Sequence, residues 1–235
     1  MERRDKTHRW SRALRISVLT VLLGMVSFIQ TGWAAGTYTK QQELVDKATI
    51  IIRHMLSDPN MEWARCHLQD AEAIIIFPSI IKGAFLVGGE GGSGVALARD
   101  KKTGAWSYPA FYTMGSVSFG LQIGGKVSEV LLMVMTQKGS DALLSTSFKL
   151  GGDVGIAAGP VGAGVKGKLT DILAFARSKG AFAGISLDGA VIAPRNEWNT
   201  GYYGKPVSVS DIFIRRIVKN PKADNLRTVV SKIKK

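Results

Sequence analysis

The chain has 235 residues and a formal charge of +13, from 31 Lys and Arg against 18 Asp and Glu. Such a basic surface serves solubility alone or indicates an acidic partner, such as a lipid head group, nucleic acid or acidic polysaccharide. Its single cysteine, Cys66, excludes an intramolecular disulfide, so packing must stabilise the fold.

Residues 1–34 have the organisation of a secretory signal peptide. Basic residues concentrate in the first fifteen positions, and a mostly apolar run from Ile16 to Ile29 follows. The run is shorter than the roughly 20 residues of a membrane-spanning helix. Gly32-Trp33-Ala34 puts small residues at the positions that a signal peptidase tests. We predict cleavage after Ala34 and export to the periplasm or envelope, with an uncleaved membrane anchor as the alternative.

The predicted mature domain, residues 35–235, is itself basic. Cleavage removes six basic and two acidic residues, which leaves 25 Lys and Arg against 16 Asp and Glu, a formal +9. About 200 residues suit one domain with a substantial core. Export makes nucleic acid the least favoured of the acidic partners, so no nucleic-acid partner is predicted.

The mature domain opens with helical patterns. Thr39-Lys-Gln-Gln42 has the form of a capping box, and apolar residues then recur at helical spacing, which predicts an amphipathic helix over about 39–57. Asp58-Pro59-Asn60 ends it, and a shorter helix is predicted near 61–70. Cys66 in that Ala/Leu-rich stretch is predicted to be a buried small hydrophobe.

From Ala73 the apolar period becomes that of β-strands. Short apolar runs predict strands at 74–77, 85–87 and 95–99, and the glycine-rich 88–94 segment is predicted to be a flexible hairpin connection. Ser116–Gly124 alternates apolar and small or polar residues, which predicts a strand with one buried face. Val130–Met135 is apolar throughout, which predicts a central strand covered on both faces.

The second half is predicted to continue the sheet and to end in helices. A short helix is predicted near 137–145, and strands near 147–158, 171–178 and 181–193. Ser208 and Asp211 can cap a helix, and Asn220-Pro221 can end it and start another. Apolar residues are assigned to these two helices as follows: Ile212, Phe213, Ile217 and Val218 to the first, and Leu226, Val229, Val230 and Ile233 to the second. The predicted fold class is α+β: a glycine-rich, mainly antiparallel sheet or partly closed barrel flanked by N-terminal and C-terminal helices.

Recognisable catalytic or cofactor motifs are missing from the sequence. Gly162–Gly167 matches G-x-G-x-x-G but lacks the strand, helix and downstream acid of a dinucleotide site. His54 and His67 have no partners at metal-ligand spacing, and no G-x-S-x-G elbow or paired carboxylates occur. We predict a non-enzymatic protein that needs no cofactor, metal or nucleotide.

A set of short motifs follows in order along residues 82–204. They are Lys82–Phe85, Gly91–Val95, Ala98-Arg99, Gly104–Pro109, Gly115–Gly124, Leu150–Asp153, Ala158–Gly162, Arg177–Gly180, Phe182–Gly189, Asn199 and Tyr203-Gly204. In content and order they resemble the SYLF-domain lipid-binding family, and the resemblance covers nearly all of the mature chain. It implies lipid binding: eukaryotic members bind phosphoinositide membranes and some act alongside actin, whereas bacterial members are exported.

The resemblance and the charge together predict non-enzymatic binding of anionic phospholipid membranes in the bacterial envelope. Actin is not expected as a partner, because an envelope location offers none. The predicted lipid-binding cations are Lys149, Lys166, Lys168, Arg177, Lys179, Arg215 and Arg216. Trp106 and Tyr108 are assigned to the core.

On charge alone, a solvated basic surface that only keeps the protein soluble explains the cations as well as lipid binding does. Other functions also stay open. The alternative function is an envelope structural or protein-interaction module whose basic face binds acidic glycan or a protein partner. A hydrolase or a lipid-transfer protein comes third, and transfer would need an enclosed apolar cavity.

Overall fold

Two helical segments precede the sheet, as the periodicity predicts. The computed structural model describes residues 39–84, 87–119, 124–159, 170–178, 181–182 and 187–233. Helix α1 spans Lys40–Ser57, and the Thr39 hydroxyl accepts the Gln42 N–H at its start. Helix α2, Glu62–His67, lies between short 3-10 turns at Pro59–Met61 and Leu68–Asp70. Burial of Cys66 was predicted wrongly: its side chain is exposed.

The described strands form one nine-stranded sheet in an α+β fold, as predicted. They are β1 Ala73–Ala84, β2 Val87–Ala98, β3 Ala110–Phe119, β4 Gly124–Val134, β5 Phe148–Lys149, β6 Ile156–Ala158, β7 Ile172–Ser178, β8 Ala181–Phe182 and β9 Val191–Pro194. The order is β5-β9-β3-β2-β1-β4-β7-β6, with β8 beside β7. All described pairs are antiparallel except β6 with β7.

The prediction that Val130–Met135 is a strand covered on both faces is confirmed for its β4 part. Residues 130–134 are fully buried between β1 and β7. Val130, Leu132 and Val134 belong to one core, whereas Leu131 and Met133 belong to the core on the other face. This division arises because successive side chains along a strand point to opposite faces of the sheet. Helices α1 and α2 cover the second face.

The predicted hairpin at 88–94 is instead part of strand β2. Strand β1 changes register against both neighbours around Phe77–Ile80, where Pro78 interrupts the ladder. A Cβ at Gly94 would lie 2.6 Å from Phe77 Cδ1, and one at Gly92 would collide with the Ser79 carbonyl oxygen. Glycine therefore permits the close approach of β2 to the irregular part of β1, rather than forming a turn.

Three other predicted strands have different limits. The strand predicted at 116–124 begins earlier, because β3 starts at Ala110. The strand predicted at 147–158 is divided into β5 and β6 by a turn with Gly151 at φ +77°. The strand predicted at 181–193 is divided into β8 and β9, and Gly189 has φ +85° in the turn before β9. Glycine readily adopts a positive φ, and a residue with a positive φ interrupts the extended backbone of a strand.

Helix α3, Gln137–Ala142, follows β4, where a short helix was predicted. The C-terminal region then contains three described helices where two were predicted: α4 Asn196–Tyr203, α5 Val209–Phe213 and α6 Asp224–Lys232. Helix α4 was missed because it has no side-chain N-cap; it is held by Asn199, whose side-chain oxygen accepts the Phe111 N–H at 2.8 Å. The capping box of α5 is confirmed, but the helix ends at Phe213, before Ile217 and Val218.

Candidate lipid-binding site

Three of the predicted lipid-binding cations, Lys166, Lys168 and Lys179, lie outside the described residues, as do residues 1–34 and Gly162–Gly167. Lys149 is exposed on β5, opposite the exposed Val191 of β9. Its charge is therefore available at an outer strand of the sheet. The assignment of these residues to lipid stays a prediction.

Arg177 is engaged by a carboxylate. Its Nη2 lies 2.7 Å from Glu129 Oε2, and its Nε donates to the same oxygen at 2.8 Å. The two residues are direct cross-strand partners on β4 and β7, and their side chains are only 17% and 25% exposed. A lipid phosphate at this position would therefore have to compete with Glu129.

Arg216 is turned back against the protein. Its guanidinium donates to the carbonyl oxygens of Phe213, Ala105 and Ala98 at 3.2, 3.0 and 3.3 Å, and Asp100 lies 3.8 Å away. Its φ is +52°, the only positive value at a non-glycine residue in the described chain. Such a conformation costs about 1 kcal/mol or more and persists when the surroundings fix it. Arg216 therefore anchors the segment that follows α5.

That segment, Ile214–Lys219, is termed the isoleucine loop. The Ile214 and Arg215 N–H groups donate to the Ser210 carbonyl oxygen at 3.0 and 2.9 Å, and the Ile217 N–H donates to that of Asp211 at 3.1 Å. Val218, 3% exposed, packs in the core beneath. These contacts define the loop backbone on both sides of Arg216.

The Asp211 carboxylate stabilises the start of the same unit. It accepts the Ser208 N–H at 2.9 Å and the Ser208 hydroxyl at 2.8 Å, and Arg215 Nη1 donates to it at 2.8 Å. The backbone hydrogen bond from Ser208 is the main reason that the pKa of Asp211 lies below its ordinary value. This carboxylate therefore stays ionised at neutral pH and keeps both its cap and Arg215 in place.

The outer surface of the isoleucine loop is apolar and cationic. Ile214 is 66% exposed and Ile217 is 58% exposed. Between and beside them lie the exposed side chains of Arg215 and Lys219. Apolar side chains flanked by cations are typical of segments that lie in the interface of an anionic membrane. This arrangement can bury the isoleucines among acyl chains while the cations meet phosphate groups.

Sequence reasoning identified the two arginines, placed Ile217 on the apolar stripe of a helix that could face either a membrane interface or the core, and did not single out Ile214. In the structure the helix ends at Phe213 and both isoleucines are exposed. One signal was present: Ile212–Val218 holds five apolar residues in seven, and in a helix Ile214 would lie about 200° around from Ile212. One buried face cannot cover both. Trp106, in contrast, is buried as predicted, and Tyr108 is half-buried with its hydroxyl donating to Asp224.

No described helix is long and apolar enough to cross a membrane. Within the same described ranges, no group of three or more His, Cys, Asp or Glu residues could hold a metal ion.

Comparison with known proteins identifies the family. A family model for Ysc84, described as Las17-binding protein actin regulator, matches residues 115–233, about half of the chain. The chain belongs to this family, whose domain is the SYLF domain. The match includes the isoleucine loop and helices α3 to α6. The family consists of binding and adaptor domains related to lipid-binding or actin-binding regulators.

Relatives in animals and yeast share much of the chain. LAS seventeen-binding protein 3 of Saccharomyces cerevisiae is 34% identical over 174 residues, which are 69% of this chain and 37% of that protein. SH3 domain-containing YSC84-like protein 1 of Bos taurus is 31% identical over 158 residues, 65% of this chain and 46% of the relative. Protein YSC84 of Saccharomyces cerevisiae is 31% identical over 174 residues, 69% of this chain and 36% of the relative. The chain thus spans less than half the length of these relatives.

Proposed function

We propose that this SYLF-domain protein binds anionic phospholipid membranes reversibly and without turnover, in the bacterial envelope. The observation that carries the proposal is the isoleucine loop, which holds two isoleucines in solvent beside cations on a hydrogen-bonded backbone. Family membership supports it at the level of binding to lipid or to regulatory proteins. In this proposal, cations elsewhere on the surface, with Lys149 among them, add attraction to the same membrane.

The magnitudes fit a weak, reversible contact. Full burial of an isoleucine contributes about 1.5–3 kcal/mol, and each cation near an anionic membrane contributes about 1 kcal/mol. Ile214 and Ile217, discounted for their partial exposure, and the two cations together give about 4–6 kcal/mol. That free energy corresponds to a dissociation constant between about 1 mM and some tens of micromolar. Additional cations would strengthen binding and make it sensitive to salt.

The alternative is an envelope module whose basic face binds acidic glycan or a protein partner. Cations alone suffice for a glycan, and a glycan offers no acyl chains in which Ile214 and Ile217 could be buried. The matched family is described as an actin regulator, and one yeast relative is named for binding LAS seventeen. In our proposal an exported protein meets neither of these partners, so neither binding activity is transferred to this chain.

Vesicle co-sedimentation tests the proposed function. The protein should pellet with vesicles of phosphatidylcholine and phosphatidylglycerol, and should stay in solution with phosphatidylcholine alone, because the cations require negative lipid. Binding should weaken as salt rises, since the Debye length is about 8 Å at physiological ionic strength. Absence of binding to anionic vesicles at low salt, together with binding to a soluble acidic polysaccharide, would replace the membrane proposal with the glycan alternative.

Export is proposed from residues 1–34. In a producing bacterium, intact-protein mass spectrometry should find a chain that begins at or near Ala35, because a charged region, a short apolar run and Gly32-x-Ala34 occur in the order that signal peptidase requires. The soluble periplasmic and the membrane fractions should be measured separately. An unprocessed chain confined to the membrane fraction would replace cleavage with an N-terminal anchor.

A further inference from the structure

A groove with a volume of about 440 Å3 lies between helices α1, α2 and α6. This volume falls within the range of about 300–1,000 Å3 that small-molecule sites occupy. Three cations and three apolar residues among its lining are Arg53, Arg65, Lys232, Leu56, Val229 and Ile233. None of the described lining residues is acidic, so one concavity combines an apolar wall with positive charge.

The three cations come from different elements. Arg53 lies on α1, Arg65 on α2 and Lys232 on α6. Within the part of the chain that the structure describes, none of them forms an ion pair with a carboxylate. Arg65 Nη1 donates to the Leu56 carbonyl oxygen at 2.9 Å, which holds one edge of its guanidinium and leaves its other N–H groups for a ligand.

Compensation of helix ends accounts for Arg65, which bonds the Leu56 carbonyl oxygen in the last turn of α1, but not for Arg53 and Lys232. Cations are favourable near helix C-termini, where carbonyl groups lack partners. Here the Gln69 side-chain amide already donates to the Val230 and Ile233 carbonyl oxygens, at 3.1 and 3.0 Å. At the end of α1, the Asp58 N–H donates to the Met55 carbonyl oxygen at 3.1 Å. These carbonyl groups therefore have partners other than Arg53 and Lys232, so the charges of these two residues remain available.

We infer that this groove binds one molecule of an anionic amphiphile with a single alkyl chain. The chain lies against Leu56, Val229 and Ile233, and the carboxylate or phosphate head group lies among Arg53, Arg65 and Lys232. The site is separate from the isoleucine loop: Leu56 belongs to the core on one face of the sheet, whereas Phe213 and Val218 beside the loop belong to the other. This inference goes beyond attachment to a membrane surface, because it assigns a site to a single ligand molecule.

Calorimetric titration with dodecyl phosphate below its micelle concentration tests the inference. The protein should bind it with a stoichiometry near one. Arg53→Gln/Lys232→Gln should weaken binding at least about tenfold, because two of the three charges are lost. Thr228→Phe should also weaken it, since Thr228 lines the groove and the larger side chain would fill part of it. Lys205→Gln is the matched control, an exposed cation outside both the groove and the isoleucine loop, and should leave the affinity unchanged.

Other ligands separate the head group from the chain. Inorganic phosphate and the uncharged dodecyl maltoside should each bind at least about tenfold more weakly than dodecyl phosphate. Equal affinity for inorganic phosphate would overturn the amphiphile assignment, as would unchanged affinity in both groove variants with unchanged thermal midpoints. Laurate and a lauroyl lysophospholipid distinguish a fatty acid from a lipid as the natural source. The Ile214→Ser/Ile217→Ser variant should retain dodecyl phosphate binding even where vesicle binding is lost, so the groove and the membrane proposal fail independently.

Discussion

Alanine at Gly94 is expected to lower the free energy of unfolding by about 3 kcal/mol or more, or to prevent folding. The new Cβ would lie 2.6 Å from Phe77 Cδ1 and 2.7 Å from the Ile76 carbonyl oxygen. Both neighbours belong to β1, and their side chains are fully buried. Relief would require β2 to move away from β1 at the centre of the sheet, where packing leaves no free volume.

Gly115→Ala is the matched control for this substitution. Gly115 also lies in a central strand, but the nearest atom to its Cβ, the Glu90 carbonyl oxygen, is 4.0 Å away. The free energy of unfolding of Gly115→Ala should differ from that of the wild type by less than about 1 kcal/mol. Urea unfolding followed by circular dichroism measures both variants. Equal stability of Gly94→Ala and wild type would contradict the close approach of β1 and β2.

Replacement of both isoleucines, Ile214→Ser/Ile217→Ser, is expected to lower the affinity for anionic vesicles at least about thirtyfold. The substitution removes roughly 2–4 kcal/mol of burial in the membrane interface while every cation stays in place. Both side chains point into water in the free protein, at 66% and 58% exposure, so the thermal midpoint should hardly change. Co-sedimentation over a series of lipid concentrations gives the ratio of affinities.

Ile81→Ser/Val127→Ser provides the matched control. These residues are direct cross-strand partners on β1 and β4 and are 59% and 54% exposed, so the variant removes a similar apolar area without a change of charge. It should bind anionic vesicles as the wild type does. If this control lost affinity and the loop variant kept it, the membrane contact would lie on the sheet instead of the isoleucine loop.

Local sequence signals predicted the elements whose causes are local. Helix α1 follows from apolar spacing and Thr39, the buried strand around Leu132 from continuous apolar residues, and the start of α5 from Ser208 and Asp211. The glycines of β2 resisted prediction because their purpose depends on the irregular part of β1, which only the paired strands reveal. A glycine-rich stretch by itself indicates a turn as readily as a close contact.

The candidate site was only partly predictable for the same reason. Positive charge identified Arg215 and Arg216 but could not separate their roles. Arg216 bonds the carbonyl oxygens of Ala98 and Ala105, more than 100 residues earlier in the chain, and so contributes to position rather than to free charge. Arg177 was likewise paired with Glu129 through the register of β4 and β7. Those contacts exist only once the sheet has formed.

A fluorescent label at position 217 tests the central claim most directly. Cys66 is exposed and can be replaced by serine, after which Ile217→Cys carries an environment-sensitive dye. With phosphatidylglycerol-containing vesicles the emission should shift to the blue and the dye should become protected from iodide, whereas phosphatidylcholine vesicles should cause neither change. The same dye at position 50, an exposed site on helix α1 outside both the isoleucine loop and the groove, should stay accessible to iodide. A label at 217 that remains fully quenched by iodide while the protein pellets with anionic vesicles would contradict insertion of the isoleucine loop.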